Sequence, residues 1–119
     1  MTLPQEGCLL RIFIGEDDKH DGKSLYEWLV LQARERGLAG ATVVRGIMGF
    51  GAHSRMHTFK IERLSLDLPV VVEIVDTRAK LEAFLNEIDA MIREGLATLE
   101  KADVRFYRSR AGAPPGSEP

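Results

Sequence analysis

The chain has 119 residues, with 16 Lys and Arg against 18 Asp and Glu, a formal charge of −2. Apolar residues make up 45% and charged residues 29%, the balance of one soluble globular domain with a core of its own, and the lack of a basic excess argues against nucleic acid as the main partner. No run approaches the roughly 20 apolar residues of a membrane helix, the opening Met1-Thr2-Leu3-Pro4 has no signal-peptide character, and Cys8 stands alone, so no internal disulfide forms and a cytoplasmic setting is expected.

Residues 1–7 read as an N-terminal extension, 8–110 as the folded domain and 111–119 as a disordered tail, where two adjacent prolines and small residues leave nothing to bury. Leu9 to Ile14 is short, apolar and partly β-branched, which predicts a first strand. Gly15 to Gly22 is a polar loop. Ser24-Leu25-Tyr26-Glu27 has the spacing of a capping box and predicts a helix to about Arg36. Leu25, Trp28, Leu29, Gln32 and Ala33 would share one face, with Gly37 as the stop. Thr42 to Arg45 begins a second strand that runs toward Gly51, and Thr58 to Leu64 could extend an arm of the same hairpin. Pro69 to Val75 is the third strand, its proline placed where a missing N–H does least harm. Asp76 or Thr77 caps a second helix with the stripe Leu81, Phe84, Leu85, Ile88, Met91 and Ile92, and Gly95 would end it. Ala102 to Tyr107 is read as the fourth strand, with Val104 and Phe106 on one face.

The order β-α-β-β-α-β predicts an α+β, ferredoxin-like sandwich: one four-stranded antiparallel sheet with both helices on the same face. The other face would then be bare. Leu10, Ile12 and Ile14 point one way and Leu9 and Phe13 the other, so the strands read as apolar on both sides. A bare apolar face of that size calls for a cover, and self-association supplies the simplest one. The tail or the 58–64 arm is the competing cover.

At Gly40-Ala-Thr-Val-Val-Arg-Gly-Ile-Met-Gly-Phe-Gly51, with Gly15-Glu16, Gly22-Lys-Ser-Leu-Tyr26 and Ser65-Leu-Asp-Leu-Pro-Val-Val-Val-Glu-Ile-Val-Asp76, the chain resembles the domain of unknown function family 190, which is grouped with PII-like signalling proteins. The resemblance covers about residues 8 to 107. It implies a PII-like homotrimer with a regulatory, non-enzymatic role. It also implies an adenine nucleotide or another small anion in clefts between subunits, and a loop that contacts a partner such as a membrane transporter. Gly49-Phe50-Gly51 is similar to the Gly-Phe-Gly found where the second strand of PII proteins enters that loop. Ala52, His53, Ser54, Arg55, Met56 and His57 would occupy the loop's position. PII proteins also carry Gly-Asp-Gly-Lys before the last strand, for phosphates. The matching stretch here, Arg93 to Lys101, holds one glycine and lacks that motif, which favours a ligand with fewer phosphates or cations supplied from elsewhere.

The candidate effector residues are Arg45, Gly46, Gly49, Phe50, Gly51, Arg55, Arg105 and Arg108. Gly46, Gly49 and Gly51 permit close backbone approach to a ligand, and they equally suit a bend at a strand end. A guanidinium fork matches phosphate or carboxylate, and it also suits a solvated edge or a subunit ion pair. His53, Ser54 and His57 lack a nearby carboxylate to orient a base, so no catalytic relay is expected. Two further readings stay open. One is a divalent-cation-binding trimer resembling the divalent-cation-tolerance proteins, with His53, His57 or the acidic run Glu16, Asp17, Asp18, His20 and Asp21 as ligands; a solvated turn is the alternative for that run. The other is a small ferredoxin-like enzyme. No metal site is assigned.

Overall fold

The computed structural model describes residues 6–50, 57–58 and 68–110. Four strands form the central sheet: β1 (Glu6–Gly15), β2 (Thr42–Arg45), β3 (Pro69–Asp76) and β4 (Leu96–Asp103). Two helices, α1 (Leu25–Glu35) and α2 (Arg78–Ile88), cross between them, and a single 3-10 turn, Asp89–Met91, extends α2. The strand order is β2-β3-β1-β4, antiparallel throughout, which is the expected ferredoxin-like sandwich.

Alternation in β1 and β3 sets the core. Cys8, Leu10, Ile12 and Ile14 of β1 and Val70, Val72 and Ile74 of β3 are buried on one face. Leu25, Leu29 and Ala33 of α1 and Leu81, Phe84 and Ile88 of α2 close over them. Both helices repeat their buried positions at three or four residues, so each turns one stripe to the sheet. Thr77 caps α2: its hydroxyl accepts from the Lys80 N–H at 3.2 Å. Gly37, at φ 71°, lets the chain leave α1 through the left-handed region.

Four expectations need correction. Ser24 stands at the N-cap of α1 but its side chain makes no capping bond. Its backbone belongs to a two-stranded ribbon, Lys19–His20 with Lys23–Ser24, and the Leu25 N–H is taken by the Asp18 carbonyl at 2.7 Å. The ribbon turns at Asp21 (φ 51°) and Gly22 (φ 79°), the two positive φ values of a tight hairpin turn. The second helix stops at Ile88 rather than Gly95; Gly95 instead opens β4, where an added Cβ would stand 2.6 Å from the Phe13 carbonyl oxygen. The fourth strand is Leu96–Asp103, not 102–107. It pairs along β1 from Glu6↔Asp103 to Phe13↔Leu96, so Arg93–Lys101 is mostly strand rather than a loop before one, and Val104 and Phe106 lie beyond the sheet.

The bare face is the fourth correction. Leu9, Phe13, Val71, Val75, Val44 and Leu96 make it largely apolar, but its centre is ionic. Arg11 bonds Glu73 (Nε–Oε2 2.9 Å) and also Glu100, which comes from the opposite neighbouring strand. The hydrogen bond to Glu73 is the main cause holding the Arg11 guanidinium toward its charged form.

Candidate effector-binding site

The predicted cation and glycine residues that the structure describes fall at two ends of the sheet. At the first, β2 finishes with Arg45, whose guanidinium meets Glu16; the arginine side chain is 57% exposed. Gly46 follows, and its N–H donates to the Pro69 carbonyl at 2.7 Å. A Cβ on Gly46 would stand 2.9 Å from Pro69 Cγ, and one on Gly49 3.3 Å from the same atom. Here the glycines serve a close crossing over Pro69, which is a packing reason for them. Met48–Gly49 then pairs with His57–Thr58, so the expected hairpin begins here. Ile47, Met48 and Phe50 are large and apolar yet 78%, 58% and 66% exposed. Gly51, Ala52, His53, Ser54, Arg55 and Met56 lie outside the described residues, as does the expected 58–64 arm beyond Thr58.

At the opposite end, residues 39–42, where the loop after α1 enters β2, and the segment 102–107 wall a groove of about 680 Å³ over Leu9, Glu73 and Val75. Its construction depends on Asp76, which is completely buried. Asp76 Oδ2 accepts from the Ala39 N–H at 2.8 Å and Oδ1 from the Thr77 N–H at 2.6 Å. A buried carboxylate needs such donors, and this one fastens the loop after α1 to the end of β3. The Tyr107 hydroxyl donates to the Ala39 carbonyl and ties down the other wall. Arg105 lines the groove and reaches Asp103 at 3.4 Å. Arg108 lies over the Phe106 ring at 4.4 Å, a cation–π distance.

Arg45 and Arg105 do not meet within one chain. Arg45 faces Val70, which faces Ile14, whereas Arg105 follows Asp103, which faces Glu6. Eight residues of β1 separate those levels, roughly 26 Å at about 3.3 Å per residue. The acidic run surrounds a second hollow, with Asp18, Lys19, His20 and Asp21 opposite Arg93 and Glu94. Among the described residues no group of three or more His, Cys, Asp or Glu is placed to hold a metal ion, and no helix is long and apolar enough to cross a membrane.

Sequence reading does not identify Asp76 and Tyr107 as builders of a groove, because their partner, Ala39, is 37 and 68 residues away. The Arg11–Glu73–Glu100 cluster is similarly non-local, although a lone arginine inside an apolar strand was a signal for it.

A four-stranded antiparallel sheet in this order, with two helices on one face, defines a ferredoxin-like fold. The chain belongs to the DUF190 family (uncharacterized ACR), whose model matches residues 7–104. A UPF0166 protein of Aquifex aeolicus is 47% identical over 98 residues, covering 82% of this chain and 92% of the relative. One from Methanocaldococcus jannaschii is 34% identical, covering 71% and 78%. Among solved structures, CPII from Thiomonas intermedia, a nitrogen regulatory PII-like protein bound to ADP, AMP and bicarbonate, superposes with a TM-score of 0.64 at 16% identity, covering 83% of this chain and 88% of that one. A PII-like signalling protein from Thermus thermophilus gives 0.59 at 16% identity, covering 86% and 91%. The divalent ion tolerance protein CutA1 from Ehrlichia chaffeensis gives 0.51 at 11%, covering 88% and 87%.

Proposed function

We propose that this chain is a non-enzymatic, cytoplasmic PII-like regulatory protein. It assembles as a homotrimer and binds a small anionic effector, an adenine nucleotide, in clefts between subunits. Arg45, with the backbone of Gly46, Gly49, Phe50 and Gly51 and the side chain of Arg55, forms one side of the cleft, and Arg105 and Arg108 of a neighbouring copy form the other. Effector contact orders the 52–57 loop and so changes its affinity for a partner such as a transporter, which requires the effector to favour one loop state over the other.

The observation that carries this reading is the placement of cations at opposite ends of one sheet. A single protomer offers an anion only half of a pocket, so a complete one exists where the end of one copy meets the end of another. The partly apolar bare face supplies the drive to associate. The nucleotides bound by CPII make adenine nucleotides the first ligands to test. Calorimetric titration with AMP, ADP, ATP, cyclic nucleotides and divalent ions tests it. Saturable adenine-nucleotide binding that vanishes in an Arg45→Ala, Arg105→Ala double variant supports the reading. Divalent-ion binding without nucleotide binding overturns it in favour of a cation-binding trimer.

A further inference from the structure

We infer that Glu16 sets which effector is taken: by pairing with Arg45 it offsets the charge of that cation while holding it in place, so the site prefers an adenine nucleotide with one phosphate over one with three. This rests on the function proposed above, in which Arg45 contacts the effector, and adds the residue that discriminates among nucleotides.

The pair is built where the chain enters β3. The Glu16 N–H donates to the Leu68 carbonyl at 2.8 Å, and the Gly46 N–H, next to Arg45, donates to the Pro69 carbonyl at 2.7 Å. Two successive carbonyls thus fasten the backbones that carry the acid and the base. Asp18 Oδ2 accepts from the Gly15 N–H at 3.0 Å and steadies the turn that holds Glu16. Arg45 Nη2 then meets Glu16 Oε2, and the two side chains differ in exposure, 57% for the arginine and 18% for the glutamate. A carboxylate so far out of water is costly to strip of its counter-ion, so an incoming anion does not displace it. A guanidinium carries five N–H donors, and the contact with Glu16 uses one nitrogen, which leaves donors on the exposed side for a single phosphate. Glu16 stays behind as a fixed negative charge, and each further phosphate adds charge that it repels. At the other end of the sheet Arg105 is also paired, with Asp103 at 3.4 Å, but those side chains are 78% and 61% exposed, so solvent screens that acid more fully. Glu16 is therefore the acid that an effector at Arg45 feels most.

Calorimetry of the wild type, Glu16→Gln and Arg45→Ala with AMP, ADP and ATP, without divalent ions and at one fixed ionic strength, tests this. The wild type should bind AMP more tightly than ATP. Glu16→Gln removes the charge, keeps the size and leaves the backbone bond to Leu68 intact; far-ultraviolet circular dichroism checks its fold. It should strengthen ATP binding most and raise the ratio of ATP to AMP affinity roughly 10-fold, the effect of one unit charge close by in a partly screened site. That gain should shrink as salt is added. A purely structural role for Glu16 would move all three nucleotides alike. A Glu16→Gln variant that shifts them equally or not at all, while Arg45→Ala weakens binding, would overturn this inference and leave the proposed function standing. A wild type that prefers ATP to AMP would overturn it in the same way. Nucleotide binding unchanged by Arg45→Ala, or no nucleotide binding by the wild type, would defeat it together with the effector site proposed above.

Discussion

Asp76 is the side chain on which the groove most depends, and its removal has a calculable cost. Its carboxylate is completely buried and accepts from the Ala39 and Thr77 N–H groups at 2.8 and 2.6 Å. Hydrogen bonds to charged groups contribute about 1.5–3 kcal/mol each. Asp76→Ala loses both and leaves two backbone donors to find water. Ala39 and Thr77 are only half-buried, so water recovers part of the loss, and the net cost should be about 2–4 kcal/mol. Asp76→Asn keeps the shape and one acceptor, and should cost about 1–2 kcal/mol. Urea unfolding followed by circular dichroism, at one fixed protomer concentration, reads this directly. With a denaturant slope of about 2 kcal/mol per molar, the alanine variant should unfold roughly 1–2 M earlier. The Ala39 amide should also lose protection from hydrogen exchange before the core does, since the loop is released first. A midpoint shift below about 0.3 M, with Ala39 still protected, would refute the claim that this carboxylate fastens the groove wall.

Three other outcomes follow from the same geometry. Gly46→Ala places a methyl 2.9 Å from Pro69 Cγ and should cost about 1–3 kcal/mol by forcing the crossing apart; thermal unfolding measures it, and an unchanged midpoint would contradict the crossing. Arg45→Ala should weaken adenine-nucleotide binding about 10- to 100-fold by calorimetry, the loss of one charge-assisted contact, while the circular dichroism spectrum stays the same. Glu87 titrates below the ordinary carboxylate range, because Arg36 hydrogen-bonds it at 2.9 and 3.1 Å. Its stabilisation is therefore present above the unfolded carboxylate's pKa and is lost as pH falls through the lower folded value. Carboxyl-carbon NMR titration should give that lowered midpoint, and Arg36→Gln should return it to the ordinary range.

What the sequence reveals about this fold divides by range. The period-two burial of β1 and β3 and the stripes of α1 and α2 are local patterns, and the topology follows from their order. The fourth strand is misread because its own residues do not favour strand. Leu-Ala-Thr-Leu-Glu-Lys-Ala-Asp at 96–103 holds one β-branched residue and is largely exposed, whereas Val104-Arg-Phe-Tyr107 looks more strand-like. The free edge of β1 overrides that propensity by offering a full ladder of hydrogen-bond partners. Ser24 shows the same competition on a smaller scale, since ribbon pairing occupies its backbone and its side chain makes no capping bond. The Asp21-Gly22 dipeptide was a legible hairpin signal, and reading 15–22 as a plain loop overlooked it. For the site, Arg45 and Arg105 were legible as cations, but their separation along the sheet was not. The carboxylate that builds the groove lies 37 residues from the loop it holds, beyond the reach of any local pattern.

The central claim is that the anion pocket is shared between copies, and the mass of the particle in solution tests it most directly. Sedimentation equilibrium of the full chain across micromolar concentrations should return about three times the 13.3 kDa of one chain, with bound ADP leaving the particle intact or tightening it. A stable 13.3 kDa species throughout that range, with or without ADP, would contradict the account.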